Sequence, residues 1–172
     1  ACYGVAKMLS EPKADFKIFF GDKSLLLPAM PYSDLENLRS GACDDITRYG
    51  LYSLRAYGLP VARDFTPHWA NRSSGHTWSA LVLDSGKSVP FNFPIEKWYP
   101  YLGNYKWSGR LESKVYRQTS TINPGSHAQL RGPIPYLPEF FNNRRIIDVT
   151  EKYVDVASIS IPFDSSNISV AD

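Results

Sequence analysis

His76-Thr77-Trp78-Ser79-Ala80-Leu81-Val82-Leu83 runs into Asp84-Ser85-Gly86-Lys87 and returns as Ser88-Val89-Pro90-Phe91-Asn92-Phe93. Two apolar-rich runs on either side of a turn tetrapeptide predict a β-hairpin. Pro90 has no N–H for a ladder, so the returning strand belongs at a sheet edge or at a bulge. The hairpin begins on a histidine, next to a glycine that loosens the backbone, and nearly ends on an asparagine. A two-residue loop sets Asn92 opposite Ser79, on the face away from His76. A bulge at Pro90 would restore the facing.

Working outward, Gly41-Ala42-Cys43-Asp44-Asp45 opens the strongest helical pattern in the chain. Ile46, Gly50, Leu54 and Tyr57 recur at helical spacing, with Tyr49 and Ser53 on the same side. Gly58 and Pro60 then stop the helix. Cys43 therefore falls at the N-terminal end of a buried helix. Before it, Phe16–Phe20 reads as a strand, and Ser33-Asp34-Leu35-Glu36 as a short helix start with Ser33 capping and Glu36 in the capping-box position. Val61–Phe65 reads as a strand and Thr66–Gly75 as a loop. Beyond the hairpin come an irregular aromatic stretch from Pro94 to Gly109, a strand within Lys114–Thr121, a turn at Asn123-Pro124-Gly125 and a strand at Ile146–Thr150. The organisation is one main domain over residues 1–150. A strand-like tail, 151–172, in which Ala157, Ile159 and Ile161 alternate with polar residues, reads as the start of a further β-module.

Composition limits the functions available. The 172 residues carry a formal charge of +2 with no basic stripe, which argues against a nucleic-acid partner. No apolar run reaches membrane-spanning length. The chain opens without Met or a signal-peptide pattern, and reads as a processed product or a piece of a longer protein. Two cysteines and three histidines show no metal-ligand spacing, so neither a metal nor a cofactor is expected.

Thiol chemistry is the best use of these residues. A thiol is a strong nucleophile only as thiolate, and the positive end of a helix dipole and a nearby histidinium both favour that form. Cys43 at a helix start is thus expected to have a depressed pKa, although Asp44 and Asp45 work against it. Gly41 and Ala42 leave room for a substrate, and the Cys43 N–H is placed to donate to an oxyanion. His76 is the candidate base. Asp84 cannot orient it, because eight strand residues at ~3.3 Å each put it roughly 26 Å away. Asn92 is the only amide or carboxylate on the returning strand. The plain alternatives are a buried structural cysteine or a Cys2–Cys43 disulfide for Cys43, a core histidine for His76, and a strand-end asparagine for Asn92.

Gly41-Ala42-Cys43-Asp44-Asp45, Leu54-Arg55-Ala56-Tyr57-Gly58-Leu59-Pro60-Val61-Ala62, Gly75-His76-Thr77-Trp78 and Val89-Pro90-Phe91-Asn92 together resemble the core of the transglutaminase-like superfamily, over about 38–93. Asp64–Ser73 is similar to a bacterial, often extracytoplasmic subgroup in which β-rich modules follow. The resemblance implies an α+β papain-like fold, with a central helix bearing the Cys packed on an antiparallel sheet. It also implies acyl transfer through a thioester at a catalytic triad of Cys43, His76 and Asn92, as in a cysteine protease or other thiol hydrolase. Asn92 departs from the Asp usual in that family. Trp69 and Asn71 in the loop, and Trp78, are candidates for binding a peptide or protein substrate. The competing reading is a catalytically lapsed module that binds peptide or glycan.

Overall fold

The computed structural model describes residues 4, 17–18, 30–93, 110–111, 113–131, 139–157 and 159. Among them are α1 (Tyr32–Leu38), α2 (Cys43–Ala56) and α3 (His127–Arg131). The strands are β1 (Lys17–Ile18), β2 (Ser40–Gly41), β3 (Val61–Thr66), β4 (His76–Val82), β5 (Ser88–Phe91), β6 (Tyr116–Gln118) and β7 (Ile146–Asp148). Two 3-10 turns, Glu139–Asn142 and Thr150–Lys152, flank β7. The architecture is α+β: an antiparallel five-stranded sheet in the order β5-β4-β3-β6-β7, with β1 and β2 forming a short parallel pair. No helix among the described residues is long and apolar enough to cross a membrane.

Helix α2 forms where the periodicity predicts, and buries Ile46, Tyr49, Gly50, Ser53 and Leu54 on one side. Gly58 ends it at φ +75, with the Gly58 N–H on the Arg55 carbonyl and the Leu59 N–H on the Leu54 carbonyl. This is the paired C-terminal closure that a left-handed residue permits. Helix α1 begins one residue before the expected cap. Pro31, at φ −57 and ψ 154, occupies the N-cap position, and its carbonyl accepts from the Asp34 and Leu35 N–H groups. Ser33 lies inside the first turn and meets only the Asp34 carboxylate.

Strand alternation gives the sheet two distinct faces. On one, Val61, Leu81 and Phe91 pack with Phe93 against α2 and Leu35 of α1. On the other, Trp78 packs with Val115, Val149 and Tyr153. The latter two come from β7's exit and the turn after it, so residues through Tyr153 belong to this core. Of the tail expected to be strand-like, residues 151–157 and 159 are described and form a 3-10 turn and coil rather than a strand; the rest of it, the Pro94–Gly109 stretch and most of the Phe16–Phe20 strand lie outside the described residues.

The hairpin is where the structure departs most usefully from expectation. Ser79 pairs with Phe91, Ala80 with Pro90, Leu81 with Val89 and Val82 with Ser88, without a bulge. Pro90 is accommodated because β5 is an edge strand. The loop has three residues rather than two. The Leu83 N–H donates to the Lys87 carbonyl at 2.9 Å, and Gly86, at φ +75, closes the turn in the left-handed region. The odd loop moves the register by one, and Asn92 then shares a face with Trp78 and His76. Phe93 faces the other way, onto α2, where a Cβ built on Gly50 would fall 2.5 Å from the Phe93 ring.

Gly50→Ala therefore sets a close-packed ring against a new methyl. Overpacking of about 1–3 kcal/mol outweighs the helix-propensity gain of up to about 1 kcal/mol. Urea unfolding is expected to shift to a lower midpoint; an unchanged or higher midpoint would show that Phe93 yields without cost.

Candidate active site

Cys43 is the first residue of α2, after Ala42 at φ −75 and ψ 174. Alanine offers no capping oxygen, so only the return half of a capping box is made: the Ala42 N–H donates to Asp45 Oδ2 at 3.0 Å. This contact explains Gly41, whose added Cβ would lie 2.6 Å from the Asp45 Cβ. The space expected for a substrate is filled by Asp45. Asp44 turns outward between two cations, pairing with Arg48 one turn along and with Arg63 of β3, whose Nε lies 2.7 Å away.

The thiol is not in a disulfide. The backbone N–H groups of Thr77 and Asp44 both favour its thiolate form. Thr77 stands past the last β4–β5 pair, and the helix start meets its backbone there. The Thr47 hydroxyl lies 2.7 Å from the Cys43 carbonyl and 3.3 Å from the Thr77 carbonyl. Burial raises the Cys43 pKa above the ordinary thiol value. The Thr77 N–H opposes that shift, Asp44 adds to it, and the Asp44 N–H and Arg63 oppose it more weakly. The expected depressed thiol is thus corrected: desolvation outweighs the helix terminus.

His76 opens β4, and its Nε2 donates to Asn92 Oδ1 at 3.2 Å. A neutral ring with its proton on Nε2 keeps its basic lone pair on Nδ1. The ring makes stacked contacts with two indoles, Trp69 at 6.2 Å and Trp78 at 5.8 Å between centroids, at interplanar angles of 25° and 30°. Burial drives the imidazole pKa down to about 4; the Asn92 bond partly offsets this and Arg110 reinforces it. At neutral pH the thiol and the imidazole are both uncharged. No hydrogen bond joins sulfur to ring among the described residues; the Thr77 N–H, on the peptide that follows His76, favours the thiolate.

The loop before β4 is folded tightly onto β3. A Cβ on Gly75 would fall 2.4 Å from the Pro67 carbonyl oxygen and 2.5 Å from that of Thr66, so only glycine fits without backbone movement. The Trp69 N–H donates to the Ser74 carbonyl at 3.1 Å. Asn71 is exposed, and its Oδ1 accepts from the Leu111 N–H at 3.1 Å, while the Ala70 N–H donates to the Leu111 carbonyl at 2.9 Å. Asn71 thus fastens segment 110–111 beside the site. Trp69 and Trp78 are only 4% and 1% exposed, and spend their faces on His76.

Sequence reading missed what lies behind Trp78. Its Nε1 donates to the Tyr153 hydroxyl at 3.1 Å, and that hydroxyl donates to Asp64. Asp64 is fully buried, and Arg117 holds both its oxygens at 2.7 Å while also reaching Ser88 Oγ at 2.8 Å. Burial next to the Asp64 carboxylate raises the Tyr153 pKa far above its ordinary value. The available signal was parity, since Asp64 shares a strand face with Thr66 and Ala62, and a buried acid calls for a cation. No group of three or more His, Cys, Asp or Glu among the described residues could hold a metal ion.

Two outcomes follow from these shifts. Iodoacetamide should alkylate Cys43 slowly at neutral pH, with the rate climbing only above about pH 9, and Asp44→Asn should move the profile to lower pH. A flat, fast rate near neutrality would show a charged pair instead. For His76 the folded pKa lies below the unfolded one, so its contribution to stability is complete above pH 6.5 and is lost as pH falls toward about 4. His76→Phe should flatten the urea midpoint across the upper part of that window.

Neither a family model, a curated protein nor a solved structure matches this chain.

Proposed function

We propose that this chain is a cysteine-dependent acyl-transfer enzyme of the transglutaminase-like, papain-fold type, acting on amide bonds of peptides or proteins. The observation that carries the reading is the His76 Nε2–Asn92 Oδ1 bond at 3.2 Å, at the start of a strand whose Thr77 backbone is tied through the Thr47 hydroxyl to the helix start bearing Cys43. That bond fixes the tautomer and ring plane, and leaves Nδ1 as the acceptor for the thiol proton. The family resemblance supports the same three roles and a bacterial, extracytoplasmic setting.

In this mechanism the resting pair is neutral, and proton transfer accompanies attack. Nδ1 takes the proton from Sγ as the sulfur–carbon bond forms to the amide carbonyl. The carbonyl oxygen gains negative charge, for which the Cys43 N–H at the helix start is the nearest backbone donor of its own residue. The imidazolium returns its proton to the departing nitrogen as the carbon–nitrogen bond breaks, leaving a thioester. Water, or an acceptor amine, gives a proton to Nδ1 and adds to the thioester. Collapse expels the thiolate, which recovers that proton. A neutral resting pair suits this sequence, because charge arises only when the acyl group covers the site. Trp69 and Trp78 serve by clamping the ring.

Acid-quenched mixtures with a peptide-amide library should contain protein with an acyl adduct on Cys43, detectable by intact mass and peptide mapping. Cys43→Ser should form no amide-derived thioester, and His76→Ala should slow formation by about 10²–10⁴-fold. A parent protein that binds peptides but never acylates, with binding unchanged in Cys43→Ala, would establish the lapsed-module reading instead.

A further inference from the structure

The guanidinium of Arg110 lies over the Trp69 ring, 5.7 Å from its centroid, and the same indole stacks with the His76 ring at 6.2 Å between centroids. Two hydrogen bonds from the 70–71 turn fasten the adjacent Leu111, so the cation is held in place rather than carried on a loose arm. Three other arginines near the site are matched with acids: Arg48 and Arg63 with Asp44, and Arg117 with Asp64. Arg110 has no carboxylate partner among the described residues, and it is only partly buried. A cation–π contact does not use up the N–H donors of a guanidinium, which can still meet a bidentate acceptor.

We propose that Arg110 determines specificity at this site, and that the acyl donor is a peptide with a carboxylate side chain close to the scissile amide. The inference rests on the thiol-site reading above and names its substrate class. It also couples binding to chemistry. The Arg110 charge is one of the influences holding the His76 pKa down. A carboxylate on the guanidinium offsets that charge and makes the imidazole a better base once substrate is seated. Basic peptides lack this effect and meet repulsion.

The test uses binding without turnover. In the Cys43→Ala protein, fluorescence anisotropy is measured with end-blocked, labelled heptapeptides built around a central Gln, with Glu, Gln or Lys at each flanking position in turn. At one position or more, the Glu peptide should bind about tenfold tighter than its Gln counterpart, the scale of one well-placed charge pair. Arg110→Lys should keep the sign of that preference, Arg110→Gln should abolish it, and Arg110→Glu should turn it toward Lys. Peptides that bind without charge preference, or a preference that survives Arg110→Gln, would overturn the assignment and leave the thiol site standing. Absence of binding by every peptide would also overturn it, while acylation of Cys43 in the parent protein decides the thiol site separately.

Discussion

The parity of a single turn governs the arrangement. With Gly86 in the left-handed region, three residues join β4 to β5, and every side chain on β5 takes the face opposite to the one a two-residue loop would give it. Asn92 goes to the His76 side and Phe93 to the helix side. The same parity therefore orients the imidazole and seats α2, because Phe93 fills the hollow at Gly50. A site built from a helix start and a hairpin needs both relations together, and one glycine in the turn supplies them.

Electrostatics then divides the molecule. Around Cys43 and His76 desolvation prevails over the helix terminus and over hydrogen bonds, so both groups rest without charge. On the same side of the sheet, Asp64 and Arg117 are buried as a bidentate pair that the Tyr153 hydroxyl completes with a further donor. A partly unsatisfied version of that cluster would be costlier than an apolar core, which accounts for its completeness. Trp78 is the element common to both regions, stacked on the imidazole and hydrogen-bonded to Tyr153.

Much of this was legible in the residues alone. Helix α2, its glycine stop, β3, the loop and β4 follow from periodicity and turn composition, whereas Asn92 is singled out by its side-chain type alone, with a facing that needs a bulge the ladder does not contain. Other features depend on long-range contacts that local pattern does not encode. The pairing of β6 and β7 beside β3 could not be read from Lys114–Thr121 or Ile146–Thr150, since short strands carry no address for their neighbours. The turn length was ambiguous because Asp84-Ser85-Gly86-Lys87 suits loops of two or three residues. The shift of the thiol was misread for a different reason: a helix start is visible in sequence, whereas the depth at which it is buried is not. Gly41 likewise looked like space for a ligand until Asp45 was seen to fold back over it.

The tie between Tyr153 and Asp64 bridges 89 positions of sequence, and that between Tyr153 and Trp78 bridges 75. Contacts so distant close late, because loop-closure entropy must be met before they form. On the ribosome, Trp69, Trp78, His76 and Cys43 all emerge well before the tyrosine that braces Trp78 from behind. A nascent chain halted short of that residue has Cys43, His76 and Asn92 but lacks the brace, so the surroundings of Trp78 are completed only when the segment carrying Tyr153 arrives.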